Sequence, residues 1–206
     1  IYNPGISERS HKSNTANLQT DTVTDIDGNV YQTVQIGDRW WMAENLKVTK
    51  YRNGDPIEDG TGIDTLAGIE EPKFFFYYDH DPANDGIYGK LYNWYVAADE
   101  RGLCPEGWYI PTQSDFTELQ LTLDPNGGWP NIAGGKMKTT GTIEDGTGLW
   151  YAPNAGATNE SGFSGVPGGL FFPWGINHSF YDMGYRLALF SSTESNLDWA
   201  TWGILW

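Results

Sequence analysis

Apolar and polar positions alternate most clearly near the start of the ordered-looking part of the chain. Val30, Gln32, Val34 and Ile36 run among Tyr31 and Thr33, and Gly37-Asp38 then leads into Arg39-Trp40-Trp41-Met42. Alternation broken by a two-residue glycine-containing step predicts a β-hairpin. The preceding Asp25-Ile26-Asp27-Gly28-Asn29 predicts a tight turn. Phe74 to Tyr78 is an unbroken aromatic run suited to a buried strand. From Gly89 to Glu100 the period changes: Leu91, Trp94, Tyr95 and Ala98 share one helical face, with Gly102 as a stop. Thr112 and Asp115 form a capping box with Asp in the usual Glu place, so a second helix starts near Gln113. Phe116, Leu119 and Leu123 give that helix its apolar face, and Asp124-Pro125-Asn126-Gly127 ends it. Later segments are punctuated by glycine until Leu187–Glu194 and Trp199–Trp206, each of which predicts a strand. Residues 1–21 carry no such pattern and form a polar leader or linker, leaving 22–206 as one domain.

Composition sharpens this picture. The 206 residues include 10 Trp, 12 Tyr and 9 Phe beside 26 Gly and 11 Pro. Such a chain builds its core from aromatic plates and its geometry from turns, which predicts an α+β fold with two helices, many short strands and long loops. The net charge is −15, and beyond Leu103 the only basic residues are Lys136, Lys138 and Arg186. That field repels polyanions, so no nucleic-acid partner is expected. No stretch reaches the roughly 18 apolar residues that a membrane-spanning helix needs. The chain opens Ile1-Tyr2-Asn3-Pro4 rather than with Met, as a processed or cloned start would.

Candidate chemistry is sparse. Asp79, Asp81, Asn84 and Asp85 concentrate oxygen ligands within a few positions, which makes calcium the one cofactor to consider. The turn at Asp25–Asn29 shares part of a calcium-loop string but lacks its terminal Glu. The single cysteine, Cys104, forms no internal disulfide, and the three histidines, His11, His80 and His178, are not at metal-site spacing. No Gly-x-Ser-x-Gly elbow occurs; Gly162-Phe163-Ser164-Gly165 comes nearest. With 27 acids, a chance carboxylate pair keeps a cryptic hydrolase as an alternative. The main expectation is no enzymatic activity.

Several strings recur in one order: Asp27-Gly28-Asn29-Val30-Tyr31, Trp41-Met42-Ala43-Glu44-Asn45-Leu46, Tyr88-Gly89-Lys90-Leu91-Tyr92-Asn93-Trp94-Tyr95 and Gly102-Leu103-Cys104-Pro105-Glu106-Gly107-Trp108. Gly134-Gly135-Lys136-Met137-Lys138, Thr158-Asn159-Glu160-Ser161-Gly162-Phe163-Ser164, Pro167-Gly168-Gly169 and Ser191-Ser192-Thr193-Glu194 follow. Together they resemble the Fibrobacter succinogenes major paralogous domain, from about Thr22 to the end. The resemblance implies a C-type-lectin-like, sulfatase-modifying-factor-like fold with short twisted antiparallel sheets. Gly107–Phe116 is similar to the strand–turn–helix by which that superfamily is recognised. It also implies a secreted or cell-surface bacterial protein, exported by a removed signal or held by a lipid anchor. Family members usually continue into a strand with a Val-Arg-Cys string, whose cysteine would be the natural partner of Cys104. The end at Trp206 is then a natural truncation, the ordered part of something longer, or one piece of an assembly that supplies the missing strand; the last would leave an open sheet edge able to exchange a strand with another chain.

In C-type-lectin-like domains the later part of the chain commonly builds the ligand face. The resemblance therefore points to Trp129, Trp150, Tyr151, Trp174 and Tyr181 as stacking rings, with Asn154, Asn159, Glu160, Asn177 and Asp182 as hydroxyl partners. The expectation is a non-catalytic binding domain for a glycan or a surface protein. A structural or adhesion subunit completed by a neighbouring chain is the alternative. The Glu-Pro-Asn string of calcium-dependent sugar binders is absent from the sequence.

Overall fold

A computed structural model describes residues 1–3, 18–127, 132–172, 179–195 and 199–205. The architecture is α+β, with few helices and small sheets. The first sheet has the order β1-β4-β3-β2, from β1 (Tyr2–Asn3), β2 (Thr20–Thr24), β3 (Val30–Ile36) and β4 (Arg39–Met42). The hairpin between β3 and β4 forms as its alternation predicts. Ile36 pairs with Arg39, and Gly37 holds the positive φ of 63° that the two-residue turn requires. The Asp25 turn ahead of β3 also forms, because the Asp25 carboxylate accepts from the amides of Asp27 and Asn29 and from the Tyr31 hydroxyl.

This sheet divides the core. Tyr31 and Met42 face a cluster with Val48, Tyr51, Val96 and Leu103, whereas Val34, Ile36 and Trp41 face one with Phe116, Met137, Trp150 and Phe163. The period of two sends alternate side chains to opposite faces, and both faces are covered. Trp41 packs on Phe116 and Phe163 at ring-centroid separations of 6.0 and 6.2 Å.

A second sheet, β5-β6-β7, joins β5 (Glu58–Asp59), β6 (Phe74–Phe76) and β7 (Leu91–Tyr92). The aromatic run supplies β6, all of it buried. The third sheet has the order β11-β10-β8-β9, from β8 (Gly168–Phe172), β9 (Ser179–Met183), β10 (Leu187–Ser195) and β11 (Trp199–Leu205). Both late strands form where the sequence predicts them. The sheets are not purely antiparallel: β5 pairs with β6, and β8 with β10, in parallel.

The helices are α1 (Asp85–Tyr88), α2 (Trp94–Ala97), α3 (Gln113–Leu123) and α4 (Ala133–Met137). Helix α3 begins where its capping box predicts. Thr112 Oγ1 accepts from the Asp115 amide at 3.2 Å, and the Thr112 amide donates to Asp115 Oδ2 at 2.8 Å. The expected helix over Gly89–Glu100 is corrected to one four-residue turn, α2, preceded by strand β7. Lys90 donates its amide to the Leu46 carbonyl, and Leu91 and Tyr92 pair with Phe76 and Phe75. The Asn93 side chain is taken by Phe74 and Pro72 rather than capping a helix. Non-local pairing here overrides a helical period. No helix among the described residues is long and apolar enough to cross a membrane.

Candidate functional site

Two segments distant in sequence meet beside the third sheet and enclose a cleft of about 490 Å³. One wall is the loop that follows Trp150. Trp150 is buried, and its indole Nε1 donates to Thr139 Oγ1 at 3.0 Å. Asn154 adopts a φ of 39° and donates its Nδ2 to the carbonyls of Thr139 and Gly141, which fixes the loop's path. The other wall is the turn from β9 to β10. The amides of Tyr185 and Arg186 both donate to the Asp182 carbonyl, and Asp182 itself sits at a φ of 62°. The walls are tied by the Tyr151 amide, which donates to the Gly184 carbonyl at 2.7 Å.

Gly184 is required at this junction. Its φ is 83°, and a Cβ there would fall 2.5 Å from the Tyr151 ring. The close approach lets Tyr151 stack on Tyr185, with centroids 4.5 Å apart and planes at 22°. The two rings form a ledge that remains 38% and 55% exposed. Neither hydroxyl makes a hydrogen bond among the described residues. Lys138 lines the cleft from below, its Nζ 4.9 Å from the Trp150 ring centroid, and burial lowers its pKa. At the rim, Asp182 Oδ2 pairs with Arg186 at 3.2 Å.

The cleft gathers Trp150, Tyr151, Asn154 and Asp182 from the residues singled out in the sequence. Tyr181 is exposed on β9, next to Asp182 but not in the lining. Asn159 and Glu160 lie elsewhere: Asn159 closes a turn by bonding the amide and hydroxyl of Ser164, and Glu160 pairs with Lys136 at 3.0 Å. Trp129, Trp174 and Asn177 fall outside the described residues. Lys138 and Tyr185 were missed by sequence reasoning. Tyr185 could have been found from its place after a glycine turn in an aromatic-rich segment, but nothing local marks Lys138 as cleft-lining.

The oxygen-rich stretch at 79–85 does not close into one cage. Asp81 caps a short turn by accepting from the Ala83 amide, and Asn84 donates to the Tyr78 carbonyl. Asp85 pairs with the buried Lys90 at 2.8 Å, and Asp79 is exposed in a left-handed conformation. Among the described residues, no group of three or more His, Cys, Asp or Glu is placed to hold a metal ion. His80 is a bridge: its Nδ1 accepts from the Gly62 amide at 3.2 Å, and its ring lies edge-on to Phe180 at 4.9 Å. Cys104 is a free, buried thiol, and burial pushes its pKa up to about 11, far from reactive.

The sequence model of the Fibrobacter succinogenes major domain matches residues 34–204. The chain belongs to this family. The matched span of the Fibrobacter succinogenes major domain takes in both walls of the cleft, helix α3, the end of β3 and all of β4; β1, β2 and the beginning of β3 precede it. No curated protein and no solved structure gives a significant match.

Proposed function

We propose that this Fibrobacter succinogenes major domain is a non-catalytic binding domain of a secreted or surface-exposed bacterial protein, and that its ligand is a glycan held in the Tyr151–Tyr185 cleft. The observation that carries this reading is the stacked tyrosine ledge, exposed beside a turn that only glycine permits. Sugar rings present flat C–H faces to aromatic planes and hydroxyls to the groups around them. The ledge, with a few polar groups converging on it, has that composition. The fold belongs, on this reading, with C-type lectin-like and formylglycine-generating-enzyme-like domains, supported by the sequence resemblance at Gly107–Phe116, where a lone bridging residue, Tyr109, leads into helix α3, and by loops that carry the ledge.

Affinity electrophoresis through gels containing soluble polysaccharides tests the function. Retardation of the wild type that disappears in Tyr185→Ala supports the reading; equal retardation of both overturns it. A second reading draws on β11, which among the described residues lies at the outer edge of its sheet with β10 as its one neighbour. A strand from another chain could extend the sheet there. Concentration-dependent sedimentation, with no glycan binding, is the result that favours it.

A further inference from the structure

Taking the cleft as a glycan site, we infer that its ligand is a neutral sugar bearing adjacent hydroxyls, that Asp182 accepts those hydroxyls, and that recognition requires no metal ion. This inference rests on the proposed function and specifies the ligand of the same site.

The cleft leaves few polar atoms uncommitted. The Asn154 side chain donates its Nδ2 to Thr139 and Gly141 while its Oδ1 is buried without a partner among the described residues, and the Trp150 indole donates to Thr139. Asp182 gives Oδ2 to Arg186, while Oδ1 makes no hydrogen bond among the described residues. The open polar atoms at the mouth are thus a carboxylate oxygen and the hydroxyls of Tyr151 and Tyr185. A carboxylate accepts and never donates, so its complement is a ligand rich in donors. Two neighbouring hydroxyls with an adjacent apolar face supply those donors and also cover a tyrosine ring.

Charge decides among donor-rich ligands. Around the cleft, Lys138 and Arg186 stand against Asp182 and Glu144, whose Oε2 accepts from the Ala152 amide in the same loop. Both signs of charge stand around the cleft, while the whole chain carries −15. A polyanionic glycan would approach against the global field and meet an acceptor oxygen. A cationic peptide would compete with Arg186 for a carboxylate that is already matched. A neutral sugar meets neither obstacle. Arg186 already sets a positive charge at Asp182 Oδ2, so the carboxylate is oriented without a metal.

The test is affinity electrophoresis and calorimetry with mannan, a soluble β-glucan, a galactan, polygalacturonate and an arginine–proline-rich peptide, each with and without EDTA. Wild type, Asp182→Asn and Tyr185→Ala are compared. Asparagine tolerates the left-handed backbone at 182, so Asp182→Asn keeps the turn. The expected result is binding to at least one neutral polymer that is unchanged by EDTA. Asp182→Asn should weaken it roughly tenfold or more, the size of a lost hydrogen bond to a charged group, and Tyr185→Ala should do at least as much. Binding that needs calcium, or that favours polygalacturonate or the peptide, overturns the inference. So does Asp182→Asn at wild-type affinity while Tyr185→Ala fails, an outcome that leaves the cleft as a binding site. Loss in neither variant overturns the cleft reading itself, and no binding to any probe overturns both.

Discussion

Gly184 and Tyr185 are neighbours that predict different outcomes on substitution. Gly184→Ala would force a Cβ into the Tyr151 ring from a backbone at φ 83°. It should cost roughly 1–3 kcal/mol of stability, the range for a strained left-handed residue, and should disturb the ledge as well. Tyr185→Ala removes a half-exposed ring without straining the backbone and should cost less, about 0.5–1 kcal/mol for the lost stack on Tyr151. Thermal melts of the two variants check the contrast: an unshifted melt for Gly184→Ala would mean that the two walls are not in contact. At this scale the sequence was partly legible. Trp150, Tyr151, Asn154 and Asp182 were found because aromatic rings and amides crowd that segment. Asn159 and Glu160 look the same in sequence but hold a turn and an ion pair. A residue type states what a side chain can bond, not which partner reaches it first.

Among the elements, α3 shows how much one cap can organise. Asp115 is buried and closes the capping box with Thr112, while its Oδ1 takes Arg39 from the β3–β4 hairpin at 2.8 Å. An Asp in place of the usual Glu therefore joins the helix start to the first sheet. Asp115→Ala should lower stability by about 1–3 kcal/mol, combining the lost cap with a partly exposed ion pair. Urea unfolding measures this, and a midpoint equal to wild type would show that the cap is idle. Helix α3 was legible because its signals are local. The stretch after Gly89 was not, because β7 exists only through pairing with β6 and through the Leu46 carbonyl. The string Glu-Asp-Gly-Thr-Gly, which occurs at 58–62 and again at 144–148, makes the same point. In the copy at 58–62 the left-handed glycine is Gly62, and in the copy at 144–148 it is Gly146. Context, not the five letters, sets the backbone.

For the whole molecule, carboxylates held in ion pairs predict the response to acid. The Asp99 carboxyl is held far below its usual range by hydrogen bonds from Arg101, against the opposing effect of burial, with Lys73 adding to the pull. Burial also opposes ionisation at Asp27 and Asp115, but Lys50 and Thr49 hold the first below its range, and Thr112 and Arg39 the second. A folded-state pKa depressed below the unfolded value contributes stability above the unfolded value, near 3.9, and loses it as pH falls. Urea midpoints should therefore hold from about pH 7 to 5 and drop steeply below about pH 4. A midpoint unchanged down to pH 3 would contradict the pairing. Occupancy of the Tyr151–Tyr185 cleft by a glycan is read directly by a heteronuclear NMR titration of the ¹⁵N-labelled chain with a neutral oligosaccharide. Saturable shifts should concentrate at 150–155 and 182–186, and stay the same in EDTA. Shifts centred on 79–85, or none for any neutral oligosaccharide, would contradict it.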